Sequence, residues 1–137
     1  MKEIPQNPTV IVLGGAGEMG RKAVSIISNF GNIGELVVAD FDLASAEKIV
    51  AKNAAEAKMP LKAVSVDVTD SEQLLSLLEG NDIVLNMTGP FYRLGVPVLE
   101  AAIAAECHYL DICDDWEPTV DMLALNKEAV ESDVVAV

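Results

Sequence analysis

A strand, a glycine-rich turn, a helix and a second strand open the chain, and this unit limits the possible folds more than any other feature. Residues 9–13 are a short run rich in β-branched side chains that stops abruptly at Gly14 and Gly15. Such a run suits a strand buried on both faces. From Glu18 the period changes, and Ala23, Val24, Ile26, Ile27 and Phe30 form an apolar stripe at helical spacing, stopped by Gly31 and Asn32. Residues 35–40 read as a second buried strand. Gly15, Gly17 and Gly20 follow the pattern G-x-G-x-x-G, and Asp40 ends the second strand 20 positions after Gly20. The whole unit fits in 32 residues, from Thr9 to Asp40.

The alternation then repeats. A helix capped by Asp42 or Ser45 runs to about Glu56, and Met59 and Pro60 end it. Residues 61–66 form a third strand, and Thr69 or Asp70 caps a helix bearing Leu74, Leu75, Leu77 and Leu78. Residues 83–85 are a fourth strand and residues 88–91 a loop. The next helix has Pro97 in its first turn, where a missing N–H costs little, and runs to about Glu106. Residues 108–111 make a fifth strand. Residues 117–131 make a last helix bearing Val120, Leu123, Leu125 and Val130, and residues 134–137 a sixth strand. Six strands alternating with five helices through short loops predict a doubly wound parallel sheet in three α/β/α layers, the Rossmann arrangement. At 137 residues with 51% hydrophobic content, the chain fits one domain. A buried strand at its last residue leads us to expect a domain, 1–137, of a longer parent. The parent's catalytic, substrate-binding and dimerisation parts would lie elsewhere.

The glycine turn stands in the full context that a dinucleotide site requires, the alternative being glycines that serve only a tight strand–helix turn. Gly15 allows the tight turn off the strand, Gly17 leaves room for a pyrophosphate at the backbone, and Gly20 lets the helix pack closely. The N–H groups of roughly residues 17–20, spanning Gly17, Glu18, Met19 and Gly20 beside Ala16, would point at the anion. Asp40 would accept hydrogen bonds from the adenosine ribose. Asp40 is followed by Phe41 and Asp42, and the nearest downstream cation is Lys48. A ribose 2′-phosphate facing two carboxylates would be repelled, so NAD(H) is expected ahead of NADP(H).

Ligands in such sheets lie along the carboxyl ends of the strands. Asp67 and Val68, after the third strand, are placed to meet the adenine, although Asp67 also suits a neighbour of a helix cap. Residues 86–90, after the fourth, lie where the chain crosses from adenosine to nicotinamide, with Thr88, Gly89 and Pro90 on the nicotinamide side and Gly89 and Pro90 as a close backbone wall, or they serve as a plain loop. Asp111, Cys113, Asp114, Asp115 and Trp116 read as a helix-entry loop. One soft thiol among carboxylates matches no common metal set. The single histidine, His108, precedes a strand at its amino end and reads as structural; with only one His, no Ser/His/Asp constellation can be composed.

Charge is distributed unevenly. Residues 1–62 carry 7 basic and 7 acidic groups, whereas residues 63–137 carry 2 basic and 15 acidic and account for the net −13. So acidic a surface repels nucleic acid and anionic lipid. A phosphate-bearing ligand would enter by the neutral half. Two cysteines make no disulfide framework and point to a reducing, cytoplasmic setting.

Together these segments resemble the saccharopine dehydrogenase family, specifically its amino-terminal nucleotide-binding domain. The matching stretches are residues 12–21, 38–40 and 66–70, and most specifically 89–99, 108–111 and 114–116. The resemblance implies an NAD(P)-dependent oxidoreductase acting on an amino-acid-derived C–N bond, with hydride passing between nicotinamide and an imine or secondary amine carbon. It further implies a small-molecule substrate, a homodimer formed through a domain outside these residues, and no turnover by these residues alone. It singles out no catalytic residue. Two other classes remain open: a dinucleotide sensor that never catalyses, and a nucleotide-sugar or S-adenosylmethionine enzyme on the same sheet.

Overall fold

The computed structural model describes residues 2–137. Five strands, β1 (Thr9–Leu13), β2 (Glu35–Asp40), β3 (Leu61–Ser65), β4 (Ile83–Asn86) and β5 (His108–Asp111), form one parallel sheet in the order β3-β2-β1-β4-β5. Six helices connect and cover them: α1 (Glu18–Ile27), α2 (Leu43–Asn53), α3 (Ser71–Leu78), α4 (Phe91–Ala104), α5 (Trp116–Leu123) and α6 (Asn126–Glu131). The order reverses between β1 and β4, which is where this architecture opens a crevice.

β1 shows why the sheet is central. Ile11, Val12 and Leu13 are fully buried, and they alternate between two cores. Ile11 and Leu13 join Val37, Leu74, Leu78, Val98 and Tyr109 on one face; Val10 and Val12 join Val24, Leu36 and Ala46 on the other. A strand covered on both faces needs unbroken apolar sequence, and residues 9–13 supply it.

Four expectations are corrected. The sixth strand is reduced to a single bridge, Tyr109 with Ala136, although residues 135–137 still exchange three main-chain hydrogen bonds with Tyr109 and Asp111. His108 holds this edge with its side chain, as Nδ1 accepts the Val135 N–H at 3.0 Å. The expected last helix is two, because the chain turns at Ala124 and Leu125 to bring Leu125 and Ala129 onto the core. Val120, Leu123 and Val130 consequently lie exposed. Finally, α4 begins at Phe91 with Pro90 as its cap, so Pro97 sits well inside the helix rather than in its first turn. The sequence places a loop over residues 88–91 and Pro97 in the first turn because proline usually marks a helix start; burial of Gly95, Val98 and Leu99 outweighs the missing hydrogen bond.

The helix caps follow the sequence more closely. Asp42 caps α2 by accepting the Ser45 N–H, and Asp70 caps α3 by accepting that of Gln73.

Candidate functional site

The carboxyl ends of β1, β2, β3 and β4 enclose a cleft of about 310 Å³. Of the residues singled out in the sequence, Gly17, Asp40, Asp67, Val68, Thr88 and Gly89 line it. Gly15, Ala16, Glu18, Met19, Gly20 and Pro90 do not. The cleft also includes Met87, from the stretch after β4 expected there, and Gly14, Phe41, Val66 and Leu94, to which the sequence assigned no ligand contact.

The glycines divide their work. A Cβ on Gly20 would lie 1.9 Å from the Gly14 carbonyl oxygen, so this residue lets α1 start directly under the turn. A Cβ on Gly15 would strike the Val38 side chain at 2.6 Å. On Gly17 it would meet only the Gly14 oxygen, at 3.2 Å, leaving the cleft side open. Gly14 is the residue that adopts a left-handed conformation, with φ of 71°, and its backbone passes close under Met87 and Thr88. The Gly14–Gly15 doublet was visible in the sequence, but only the second glycine falls within the motif.

The donors of this turn are partly spent. Gly15 N–H bonds to the Ala39 carbonyl, Ala16 N–H to Asp40 Oδ2 at 3.0 Å, and Gly17 N–H to the Gly14 carbonyl. The expectation that the Gly17 N–H would face an anion is therefore corrected, since the turn itself consumes it. Gly17 caps α1 without a side chain, and the first intrahelical bond begins at Arg21 N–H. Among the described residues, the N–H groups of Glu18, Met19 and Gly20 are the donors left over, at the positive end of the helix dipole. They fit a pyrophosphate.

Asp40 is fixed from both sides. Its Oδ2 accepts the Ala16 N–H, and its Oδ1 accepts the Asp42 N–H at 3.1 Å. The carboxylate thus ties the glycine turn to the end of β2 and retains further lone pairs toward the cleft. Phe41 beside it is exposed, and Asp42 is held below the ordinary carboxylate range chiefly by the Ser45 hydroxyl, then by the Ser45 N–H. Arg21, Lys22 and Lys52 line a separate groove between α1 and α2 and take no part in the cleft. Asp67 accepts the Thr69 hydroxyl at 2.6 Å and the Thr69 N–H at 2.9 Å through Oδ1, which lowers its pKa. It therefore shapes a turn ahead of α3 while its second oxygen stays unengaged.

On the β4 side, the loop is carried by the buried side chain of Asn86, the first residue of the stretch singled out there. Asn86 Oδ1 accepts both the N–H and the hydroxyl of Thr88, at 3.0 and 2.5 Å, and Asn86 Nδ2 donates to the Tyr109 hydroxyl at 3.1 Å. Gly89 and Pro90 follow through a cis peptide bond and lead into α4.

Comparison with known proteins agrees with this architecture. The family described as the saccharopine dehydrogenase NADP binding domain matches residues 10–137. Among solved structures, the apo saccharopine dehydrogenase (L-Glu forming) from Saccharomyces cerevisiae is 22% identical with a TM-score of 0.77, over 95% of this chain and 26% of that one. A short-chain dehydrogenase from Mycobacterium smegmatis is 16% identical with a TM-score of 0.73, over 96% of this chain and 78% of that one. A short-chain type dehydrogenase/reductase from Mycobacterium ulcerans is 13% identical with a TM-score of 0.71, over 96% and 66%. At these identities the structural matches show a shared fold, and the chain spans about a quarter of the yeast enzyme's length. Matched along nearly its whole length by the family model, the chain belongs to the saccharopine dehydrogenase NADP-binding domain family.

Proposed function

We propose that this domain binds a nicotinamide dinucleotide, NAD(H) in preference to NADP(H), for an oxidoreductase acting on an amino-acid-derived carbon–nitrogen bond. The observation that carries the reading is the set of unspent N–H donors on Glu18, Met19 and Gly20, at the head of α1, beside the cleft that holds Asp40. In this reading those donors take the pyrophosphate and Asp40 the adenosine ribose. Asp67 and Val68 take the adenine, and Thr88, Gly89 and the backbone before Pro90 the nicotinamide side. The bound cofactor supplies hydride chemistry; the protein's part is to orient it and tune its surroundings.

The family's name carries NADP, so the preference for NAD(H) rests on this chain's own residues. The end of β2 presents Asp40 and Asp42, and the cations Arg21 and Lys22 face another groove. A 2′-phosphate there would meet carboxylates rather than a guanidinium, and like charges in a partly desolvated site repel by several kcal/mol. Calorimetric titration with NADH and NADPH tests the reading directly. Tighter NADH binding that weakens on Asp40→Ala is expected; equal or tighter binding of NADPH overturns the preference, and binding of neither overturns the site.

The carbon–nitrogen chemistry is supported by family membership, and its substrate would be a small amino-acid derivative. The longer enzyme would pair through a domain outside these residues. Two free cysteines suit a reducing compartment such as the cytoplasm, and no helix among the described residues is long and apolar enough to cross a membrane.

A further inference from the structure

A groove of about 390 Å³ lies between α1 and α2. Arg21, Lys22, Ser25 and Ile26 line it from α1, and Ile49, Lys52 and Asn53 from α2. It shares no lining residue with the cofactor cleft. Chain direction explains the separation. α2 leaves the carboxyl end of β2, where the cleft opens, and Lys52 stands in its last turn. At 1.5 Å per residue, Lys52 lies roughly 14 Å along the helix from its start at Leu43.

The groove gathers positive charge in a strongly acidic molecule. Three of the seven basic residues of the first half of the chain meet here, and none of its seven acidic residues lines the groove. The three cations are exposed, and they enter no ion pair among the described residues, where the pair formed is Lys127 with Glu131. A local partner stood within reach. Glu18 precedes Lys22 by four positions on α1, the spacing and order that favour an ion pair, yet the two are not joined. The chain thus leaves three like charges side by side without a counter-charge. Between them the floor is apolar, with Ile26 62% exposed and Ile49 half-buried. Asn53 spends an Nδ2 hydrogen on the Ile49 carbonyl at 2.8 Å, whereas the Ser25 hydroxyl has no acceptor among the described residues and adds a donor to the groove.

We propose that this groove binds a small molecule carrying two phosphate groups on a short carbon skeleton. The guanidinium of Arg21 offers two parallel N–H donors to phosphate oxygens, and Lys22 and Lys52 add compact charges. The cations are divided between two helices, and packed helices stand about 8–10 Å apart, so a single anion cannot meet them all. Two phosphates can, one toward each helix, while the carbons between them rest on Ile26 and Ile49. The charges also match: two phosphate monoesters bring about three to four negative charges against three positive ones. The site is independent of the cofactor reading, since none of its residues belongs to the cleft.

A backbone-amide NMR titration of the full chain at neutral pH tests it, with fructose bisphosphate, a phosphate at each end of a hexose, as the probe. Saturable shifts are expected at residues 49–53 together with Ser25 and Ile26. Inorganic phosphate should bind there at least tenfold more weakly, because it reaches the cations of one helix at a time. Lys52→Gln, an exposed change at a helix end, should weaken the bisphosphate about tenfold, and Lys62→Gln, on β3 and outside the groove, by less than twofold. Absence of shifts at Lys52 and Asn53 overturns the proposal. So do shifts confined to residues 17–20 and Asp40, since the probe would then occupy the cofactor cleft. Equal affinity for inorganic phosphate, or equal effects of the two lysine variants, also overturns it. NADH is titrated separately and read at residues 17–20 and Asp40, so failure of the cofactor reading and failure of this one leave different signatures.

Discussion

Gly20→Ala tests the geometry of the glycine turn most sharply. The new methyl carbon would lie 1.9 Å from the Gly14 carbonyl oxygen, 2.7 Å from the Gly14 carbonyl carbon and 2.8 Å from the Gly15 Cα. Reaching even a 3.0 Å contact with the oxygen requires about 1.1 Å of movement, and every obstacle is main chain, which cannot rotate aside. Overpacking of this kind costs about 1–3 kcal/mol, here toward the upper end. Alanine returns about 1 kcal/mol through helix propensity. The steric term wins, and the net loss is about 2 kcal/mol. With an unfolding entropy of roughly 2.1 cal/mol/K per residue over this chain, that loss lowers Tm by about 7 °C.

Thermal denaturation followed by circular dichroism measures it, with Gly31→Ala as the control. No atom lies within 4 Å of a Cβ at Gly31, so that variant should match the native chain to within about 1 kcal/mol. The forced shift also moves the Glu18 and Met19 N–H groups at the head of α1, so NADH affinity should fall by about tenfold, or ~1.4 kcal/mol. A Gly20→Ala protein that melts with the native one and keeps its affinity would refute the close-packing argument.

Other substitutions probe the remaining parts. Tyr109→Phe leaves the buried Asn86 Nδ2 without its acceptor, and equilibrium urea unfolding should show a loss of about 1–3 kcal/mol although the ring is retained. Asp40→Ala releases the Ala16 and Asp42 N–H groups together, so it should lower both Tm and dinucleotide affinity; a change in affinity alone would deny the tie between turn and strand. Asp42 and Asp67 both have folded-state pKa values below the ordinary 3.8, so their contribution is present above about that pH and is lost as pH falls through the lowered value. The Tm gap between native chain and Asp42→Ala should accordingly shrink when measured below pH 4. His108→Ala removes the acceptor of the Val135 N–H, and amide hydrogen exchange at residues 135–137 should accelerate while β1 stays protected.

The first half of the fold was legible because local signals agreed with one another. Glycines at fixed spacing, an apolar run stopped by them, and an acidic residue at the next strand's end all describe one unit, and local consistency of that kind specifies a structure. The second half was harder. Proline prefers the first turn of a helix, which is where the sequence alone puts Pro97, but tertiary packing of Gly95 against Met122 extends α4 before it. Val120, Leu123 and Val130 match a buried stripe by spacing, yet the break at Leu125 turns α5 and leaves them exposed. The hydrogen-bonded chain from Thr88 through Asn86 and Tyr109 to Asp111 was invisible for a different reason. Its members belong to two strands, and only the register that sets Asn86 beside Asp111 brings them together. Gly14 lies one residue outside the G-x-G-x-x-G pattern.

The reversal of strand order has an electrical counterpart. β1, β2, α1 and α2 all come from the neutral residues 1–62, and β4, β5 and α3 to α6 from the residues that carry the net −13. The cleft opens along that seam, so the molecule has a dipole moment running across the sheet. A dianionic dinucleotide diffusing inward experiences a torque that turns its phosphates toward the neutral side before any contact forms. Against the net negative charge, added salt should raise the association rate by shortening the reach of the repulsion, the reverse of what a cationic binding face would give.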